Sequence, residues 1–228
     1  LSGTGGMIMA ELTKKELIAK RIAMFFKDGE LANLGVGIPT MVPAFLPEGV
    51  EVWLEAENGI IGGGAPAAPE AVDPFFKDAG DKFCTILPGG CCFNSAMSFG
   101  LIRGGHLAYT VLGAMQVDQE GNLANWVVPG GKMAGMGGAM DLVAGAKKVI
   151  VATEHCSKDG KPKILKKCTF PLTGEKVVDH IVTELAVIDV TPEGLVLREV
   201  APGVTADEVI AKTEAPLIMA ADLKTMPV

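Results

Sequence analysis

Along much of the chain, apolar residues recur at the spacing of helices, interrupted by short apolar runs that are typical of strands. Thr13 and Glu16 form a capping box, a pattern that marks the start of a helix. Apolar residues then recur on one helical face from Ile18 to Phe26, until Gly29. This segment is therefore predicted to be the first helix.

The alternation of strands and helices predicts the fold class. Strands alternating with helices in sequence form a mostly parallel sheet. The expected architecture is α/β, with an open, mostly parallel sheet and flanking helices. Strands are expected at residues 31–34, 50–54, 85–87, 108–112, 123–127 and 149–152, and helices at residues 41–45, 95–102 and 139–144.

The C-terminal part changes character. A helix is expected around residues 177–185. Two apolar runs, residues 186–190 and 195–200, are joined by TPEG and predict a β-hairpin. A capping box of Thr205 and Glu208 then predicts a short last helix.

The chain shows no internal repeat and no linker, so residues 13–228 are expected to form a single domain. Residues 1–12 are interpreted as a tail. Within it, residues 1–6 lack the charged and apolar regions of a signal peptide or membrane anchor. Because they are small and glycine-rich and lack an initiating Met, they are interpreted as a cloning remnant.

Composition excludes several classes of protein. The formal net charge of -7 and the absence of a basic stripe argue against nucleic acid as a partner. Five cysteines and three histidines without the spacing of a metal site predict no metal and reduced, cytoplasmic thiols. No stretch approaches the roughly 20 apolar residues of a membrane helix, so no membrane association is expected.

Two segments are candidates for chemistry. Glu57 follows a predicted strand and precedes residues 59–69, a loop of small residues in which no helix or strand is expected. A carboxylate at this position could react with a substrate, because the small residues around it would not shield it. The alternative is that Asn58 and Gly59 form an ordinary turn and Glu57 is a solvated residue at its start. The cluster GMGGAMDL at residues 135–142 precedes a helix and fits an oxyanion hole or a tight turn.

Two other motifs are weaker. GVGIPT has Thr40 where a dinucleotide fingerprint has its third glycine. Ser98 in AMSFG lies within a predicted helix and not at the strand-to-helix turn of a nucleophile elbow. Neither motif changes the interpretation.

Together with IRGGH, VLGAMQV and LANWVVPG, the two candidate segments give the chain a family resemblance. The sequence resembles the β subunit of a family I CoA-transferase, from about Ile18 to the C terminus. The resemblance implies that Glu57 is the catalytic nucleophile and that the backbone amides of Gly138 and Ala139 bind the oxyanion. The family usually has Gln or His and then Ser before this glutamate, where this chain has Glu55 and Ala56.

The resemblance also implies the reaction. CoA would pass from a short-chain acyl-CoA to a carboxylic or 3-oxo acid through a glutamyl-CoA thioester, with CoA as a substrate and no permanently bound cofactor. The family's G-G-F motif, carried by its other half, is absent, so an α subunit in an α2β2 or larger assembly, or a fused partner, is expected. The alternatives are a noncatalytic subunit that binds CoA or a sugar phosphate, and a sugar-phosphate isomerase.

Overall fold

The computed structural model describes residues 12–66, 68–131 and 135–228 of the chain. Their strands are β1 (Leu31–Leu34), β2 (Trp53–Ala56), β3 (Ile60–Gly63), β4 (Ile86–Cys92), β5 (Tyr109–Leu112), β6 (Gln116–Asp118), β7 (Leu123–Ala124), β8 (Lys148–Ala152), β9 (Ile164–Leu165), β10 (His180–Val182), β11 (Ala186–Thr191), β12 (Gly194–Val200) and β13 (Leu217–Thr225).

Ten of these strands form one open sheet, in the order β13-β12-β11-β10-β8-β5-β1-β2-β3-β4. The central strands, from β10 through β8, β5 and β1 to β2, are all parallel to their neighbours. Antiparallel pairs flank this centre on both sides. Because the carboxyl ends of parallel strands meet at one edge, the loops after β1, β2 and β5 lie together.

In the described parts of the chain, four α-helices accompany the sheet: α1 (Lys14–Ala23), α2 (Ser95–Arg103), α3 (Ala139–Gly145) and α4 (Ala206–Ala211). The predicted capping box at the start of α1 is present, with the side chain of Thr13 accepting from the Glu16 amide and the Glu16 carboxylate accepting from the Thr13 amide. Two 3₁₀ helices, Ile38–Phe45 and Pro69–Ala71, complete the helical segments among the described residues.

Helices cover both faces of the sheet. On one face, Ile18 and Ile22 of α1 pack with Ile150 of β8 in one apolar cluster. On the other face, α2 and α3 pack against the neighbouring residues Val149 and Val151 in a second cluster. Successive strand residues point to opposite faces, which is why β8 supplies both clusters and is apolar throughout its buried length.

The second sheet is small. It has the order β7-β6-β9, and β6 pairs with β7 antiparallel and with β9 parallel. The predicted strand at residues 123–127 is thus shorter than expected and lies outside the main sheet.

The mostly parallel α/β sheet, the first helix, the C-terminal hairpin and the last helix are confirmed. Two predictions were wrong. Residues 60–63 form β3 inside the expected loop, and residues 180–182 form β10 where a helix was expected. The helix predicted at residues 41–45 is 3₁₀, with Pro43 inside it. The interpretation of residues 1–6 falls outside the described residues, and the single-domain assignment stays a prediction.

In the part of the chain that the structure describes, no helix has the length and apolar character needed to cross a membrane.

Candidate active site

Glu57 lies in the tight turn that joins β2 to β3. Ala56 at the end of β2 pairs with Ile60 of β3, and the amide of Gly59 donates to the carbonyl of Ala56 at 2.8 Å. Gly59 has φ 116°, and a Cβ there would overlap the carbonyl oxygen of Phe93. Only glycine fits this turn, so the local backbone fixes where Glu57 projects.

The half-buried Glu57 side chain meets two segments that are distant in sequence. Its Oε2 lies 3.4 Å from Nδ2 of Asn33, in the neighbouring strand β1. On the other side, a Cβ placed on Gly138 would lie 3.1 Å from Glu57 Cγ and 3.2 Å from Oε1. The structure therefore brings the two predicted segments, around Glu57 and Gly138, close together.

The two predicted oxyanion donors differ in their surroundings. The amide of Ala139, the first residue of α3, donates to the carbonyl of Met136 at 3.2 Å. Among the described residues, no acceptor is recorded for the amide of Gly138. Of the two predicted donors, Gly138 lies beside the Glu57 side chain, and Ala139 would have to give up its bond to Met136 before it could bind an oxyanion.

Glu55 is a second carboxyl group beneath the site. It lies on β2, two residues before Glu57, with 3% of its surface exposed. Its Oε1 accepts from Oγ of Ser98 at 2.7 Å, and its Oε2 accepts from Nδ2 of Asn33 at 2.9 Å. Burial raises the pKa of Glu55 above its usual value, which the two hydrogen bonds oppose and the nearby charge of Glu57 reinforces.

Asn33 and Ser98 were not predicted as site residues. The one signal in the sequence is that Asn33 is a polar residue within the short apolar run LANL, and the structure shows that it is buried. Ser98 lies inside α2, as predicted, and its fully buried hydroxyl serves Glu55. Their roles depend on register and on helix packing, which the sequence pattern does not specify.

Two large apolar side chains on segments that adjoin the site are exposed. Val36, just beyond the end of β1, is 70% exposed, and Phe75 is 96% exposed. Phe75 belongs to a segment held to the site by a 2.7 Å hydrogen bond from Nδ2 of Asn58 to the carbonyl of Lys77. Neither of two surface cavities, of about 230 and about 500 Å³, includes Glu57.

The model of a family described as coenzyme A transferase matches residues 15–212. The chain belongs to the coenzyme A transferase family. It is similar to the acetate CoA-transferase subunit beta of Haemophilus influenzae, with 54% identity over 217 residues that cover 95% of this chain and 97% of that protein.

A second similar protein is longer. The chain is 50% identical to the mitochondrial succinyl-CoA:3-ketoacid coenzyme A transferase 2A of Rattus norvegicus over 93% of this chain and 41% of that protein. Among solved structures, an acyl-CoA transferase from Escherichia coli O157:H7 superposes with a TM-score of 0.75 at 23% identity, covering 95% of this chain and 44% of that one. That likeness concerns the fold.

These comparisons confirm the family resemblance, the fold class and the prediction that the chain is a CoA-transferase acting between carboxylic acids. The roles predicted for Glu57, Gly138 and Ala139 stay predictions.

Proposed function

We propose that Glu57 is the nucleophile with which this chain transfers CoA from a short-chain acyl-CoA to a carboxylic or 3-oxo acid, through a glutamyl-CoA thioester. The observation that carries the proposal is the closeness of the Glu57 side chain to Gly138, where an added Cβ would lie 3.2 Å from Oε1 of Glu57. A nucleophile and an amide donor for the oxyanion then lie side by side. The names of the similar proteins, acetate and succinyl-CoA:3-ketoacid transferases, support short acids as substrates.

The chemistry needs no other reagent. A Glu57 oxygen attacks the thioester carbon of the acyl-CoA, the C–S bond breaks, and an acyl-glutamyl anhydride forms with release of CoA thiolate. The thiolate attacks the Glu57 carbonyl carbon of the anhydride, the C–O bond breaks, and the first acid leaves as its carboxylate. A second carboxylate then reverses these steps and departs with CoA, so CoA is a substrate and no permanently bound cofactor is required.

Each attack passes through a tetrahedral oxyanion that requires preorganised donors. In this proposal the amide of Gly138 donates to the oxyanion, and the amide of Ala139 joins it when it leaves the Met136 carbonyl. Loss of one such donor costs about 3 kcal/mol of transition-state stabilisation. The small residues of the two segments leave space for a slender pantetheine arm.

A separate α subunit, in an α2β2 or larger assembly, completes the site in this proposal. Two observations support it, the subunit name of the Haemophilus influenzae protein and the exposed apolar side chains of Val36 and Phe75. Anhydrides hydrolyse readily, so a second wall that excludes water is needed. The free thiols of Cys91 and Cys92 on the exposed strand β4 support a reducing, cytoplasmic location.

The test uses the complex isolated with its partner subunit. After mixing with acetyl-CoA, intact-mass measurement should show a CoA adduct on this chain, and the chain alone should show none. Glu57→Ala should remove the adduct and lower transfer between acetyl-CoA and acetoacetate by more than about a thousandfold. Glu193→Gln, which changes an exposed carboxylate, is the matched control and should behave as wild type.

An active complex whose mass never changes would refute the covalent route. A complex that binds acetyl-CoA without any transfer would instead support the noncatalytic alternative.

A further inference from the structure

Three polar residues lie buried in a row across the centre of the sheet. Asn33 of β1 pairs in register with Thr110 of β5 on one side and with Glu55 of β2 on the other. Their exposed fractions are 2%, 0% and 3%. Residues paired in register point to the same face, so a polar layer crosses an otherwise apolar sheet just below Glu57.

The hydrogen bonds in this layer form a chain that ends at the nucleophile. Ser98 donates to Glu55, and Nδ2 of Asn33 donates to the Glu55 carboxyl at 2.9 Å and to the Glu55 carbonyl at 3.1 Å. The same nitrogen lies 3.4 Å from Oε2 of Glu57. The side-chain amide nitrogen of Asn33 carries two hydrogens. The hydrogen bond to Glu55 therefore orients this amide and determines whether its other hydrogen points toward Glu57.

A buried carboxyl group is costly to keep, and among the residues that the structure describes no cation compensates Glu55. None of the ion pairs among the described residues includes Glu55. The groups that face Glu55 from β1 and α2 are Asn33 and Ser98, and neither of them titrates. Among the described residues, Glu57 is the one ionisable group whose charge acts on Glu55. Two carboxyl groups therefore share one amide donor.

We propose that Glu55 is a positioning residue for Glu57, acting through Asn33, and that its carboxyl group makes the reactivity of Glu57 sensitive to pH. The inference rests on the proposed role of Glu57 as nucleophile. When Glu55 is neutral, it holds Asn33 without adding charge to the site. When it ionises, its negative charge opposes the oxyanion that develops at Glu57, so thioester formation slows as the pH rises.

Glutamine is the informative replacement at Glu55. Its side-chain oxygen can accept from Asn33 and its amide can donate to the Ser98 hydroxyl, so the geometry is kept while the ionisation is removed. Alanine removes both contacts and leaves Asn33 without its main acceptor. Glu199→Gln is the matched control, because Glu199 is a part-buried carboxylate on β12, six strands from β2 in the sheet.

The experiment measures the single-turnover rate of CoA-adduct formation from acetyl-CoA, in the complex with its partner subunit, over a pH series that brackets neutrality. The ratio of the Glu55→Gln rate to the wild-type rate should rise by about tenfold from the acidic to the alkaline end. Glu55→Ala should lower the rate by about tenfold or more with KM for acetyl-CoA unchanged, and glutamine should rescue it. Glu199→Gln should follow wild type at every pH.

The outcomes separate the two proposals. If wild type forms no adduct, the role of Glu57 fails and this inference fails with it. If wild type forms the adduct and the Glu55→Gln ratio is the same at every pH, the pH effect is overturned while Glu57 keeps its role. If Glu55→Ala reacts as fast as wild type, the positioning role is overturned.

Discussion

At the residue scale, the contact between Glu57 and Gly138 leaves little room for a side chain. A Cβ on Gly138 would lie 3.1 to 3.3 Å from Cγ, Oε1 and Cδ of Glu57, while the Gly138 backbone, at φ -85°, accepts any residue. We expect Gly138→Ala to fold normally and to lower the transfer rate by about 10- to 100-fold, because the carboxylate is displaced. Steady-state transfer rates and urea denaturation check both parts.

The control for Gly138→Ala is Gly100→Ala, on α2. A Cβ on Gly100 meets nothing within 4 Å, so this variant should transfer CoA at the wild-type rate. If Gly138→Ala also kept the wild-type rate, the contact with Glu57 would have no bearing on catalysis.

The sequence offers Glu57 as a candidate because a carboxylate between a strand and a glycine turn is a local pattern, and the family resemblance adds the role of nucleophile, which stays a prediction. It does not identify Asn33 and Ser98 as its supports. Asn33 reaches Glu57 because β1 and β2 pair in one particular register, and Ser98 reaches Glu55 because α2 packs across the sheet. Such contacts join residues distant in the chain, and local patterns of polarity do not encode them.

At the scale of elements, the glycine-rich segment after Glu57 forms strand β3. Glycine is required there because β2 and β4 pack too closely against β3 to leave room for a side chain. A Cβ on Gly62 would lie 2.9 Å from Cα of Gly90 in β4 and 3.0 Å from the ring of Trp53 in β2. Low strand propensity predicted a loop, but close packing of three strands overrides it. The sequence analysis predicted a helix in place of β10 because the strand has only three residues. They form a strand through pairing with β8 and β11, which the local sequence does not show.

The turn between β2 and β3 allows a sharper prediction. Gly59→Ala places a side chain at φ 116° and against the carbonyl of Phe93, so we expect the free energy of unfolding to fall by about 2 to 4 kcal/mol. Gly63→Ala is the control in the same hairpin, because its Cβ would meet only Ile60, at 3.9 Å. Urea denaturation of the two variants should differ clearly, and equal stabilities would show that the turn tolerates a side chain.

At the scale of the whole molecule, a buried histidine ties separate parts of the chain together. His155, after β8, contacts Oγ1 of Thr183 at 2.9 Å and Oγ1 of Thr213 at 2.8 Å, after β10 and α4 respectively. Burial lowers the pKa of His155 from 6.5 to about 4, so the ring is neutral in the folded chain near neutral pH. The sequence alone offered His155 only as a scattered histidine, because its burial comes from the assembled fold.

The depressed pKa of His155 predicts a loss of stability in acid. Between pH 6.5 and about 4 the unfolded chain binds a proton at this ring and the folded chain does not, so the free energy of unfolding falls as the pH drops through this window. The contribution of this ring is up to about 3 kcal/mol. Glu55 contributes with the opposite sign, since its raised pKa favours the folded chain in acid, so the effect of His155 must be read from a difference between variants.

His155→Asn should therefore be less stable than wild type at neutral pH, because it disturbs both threonine contacts, but its stability should fall less between pH 6.5 and about 4. Urea denaturation at a series of pH values measures the two slopes. His106→Asn, which changes an exposed histidine, controls for the loss of an imidazole. Parallel pH profiles for wild type and His155→Asn would mean that the ring takes up a proton inside the folded chain as readily as in the unfolded one.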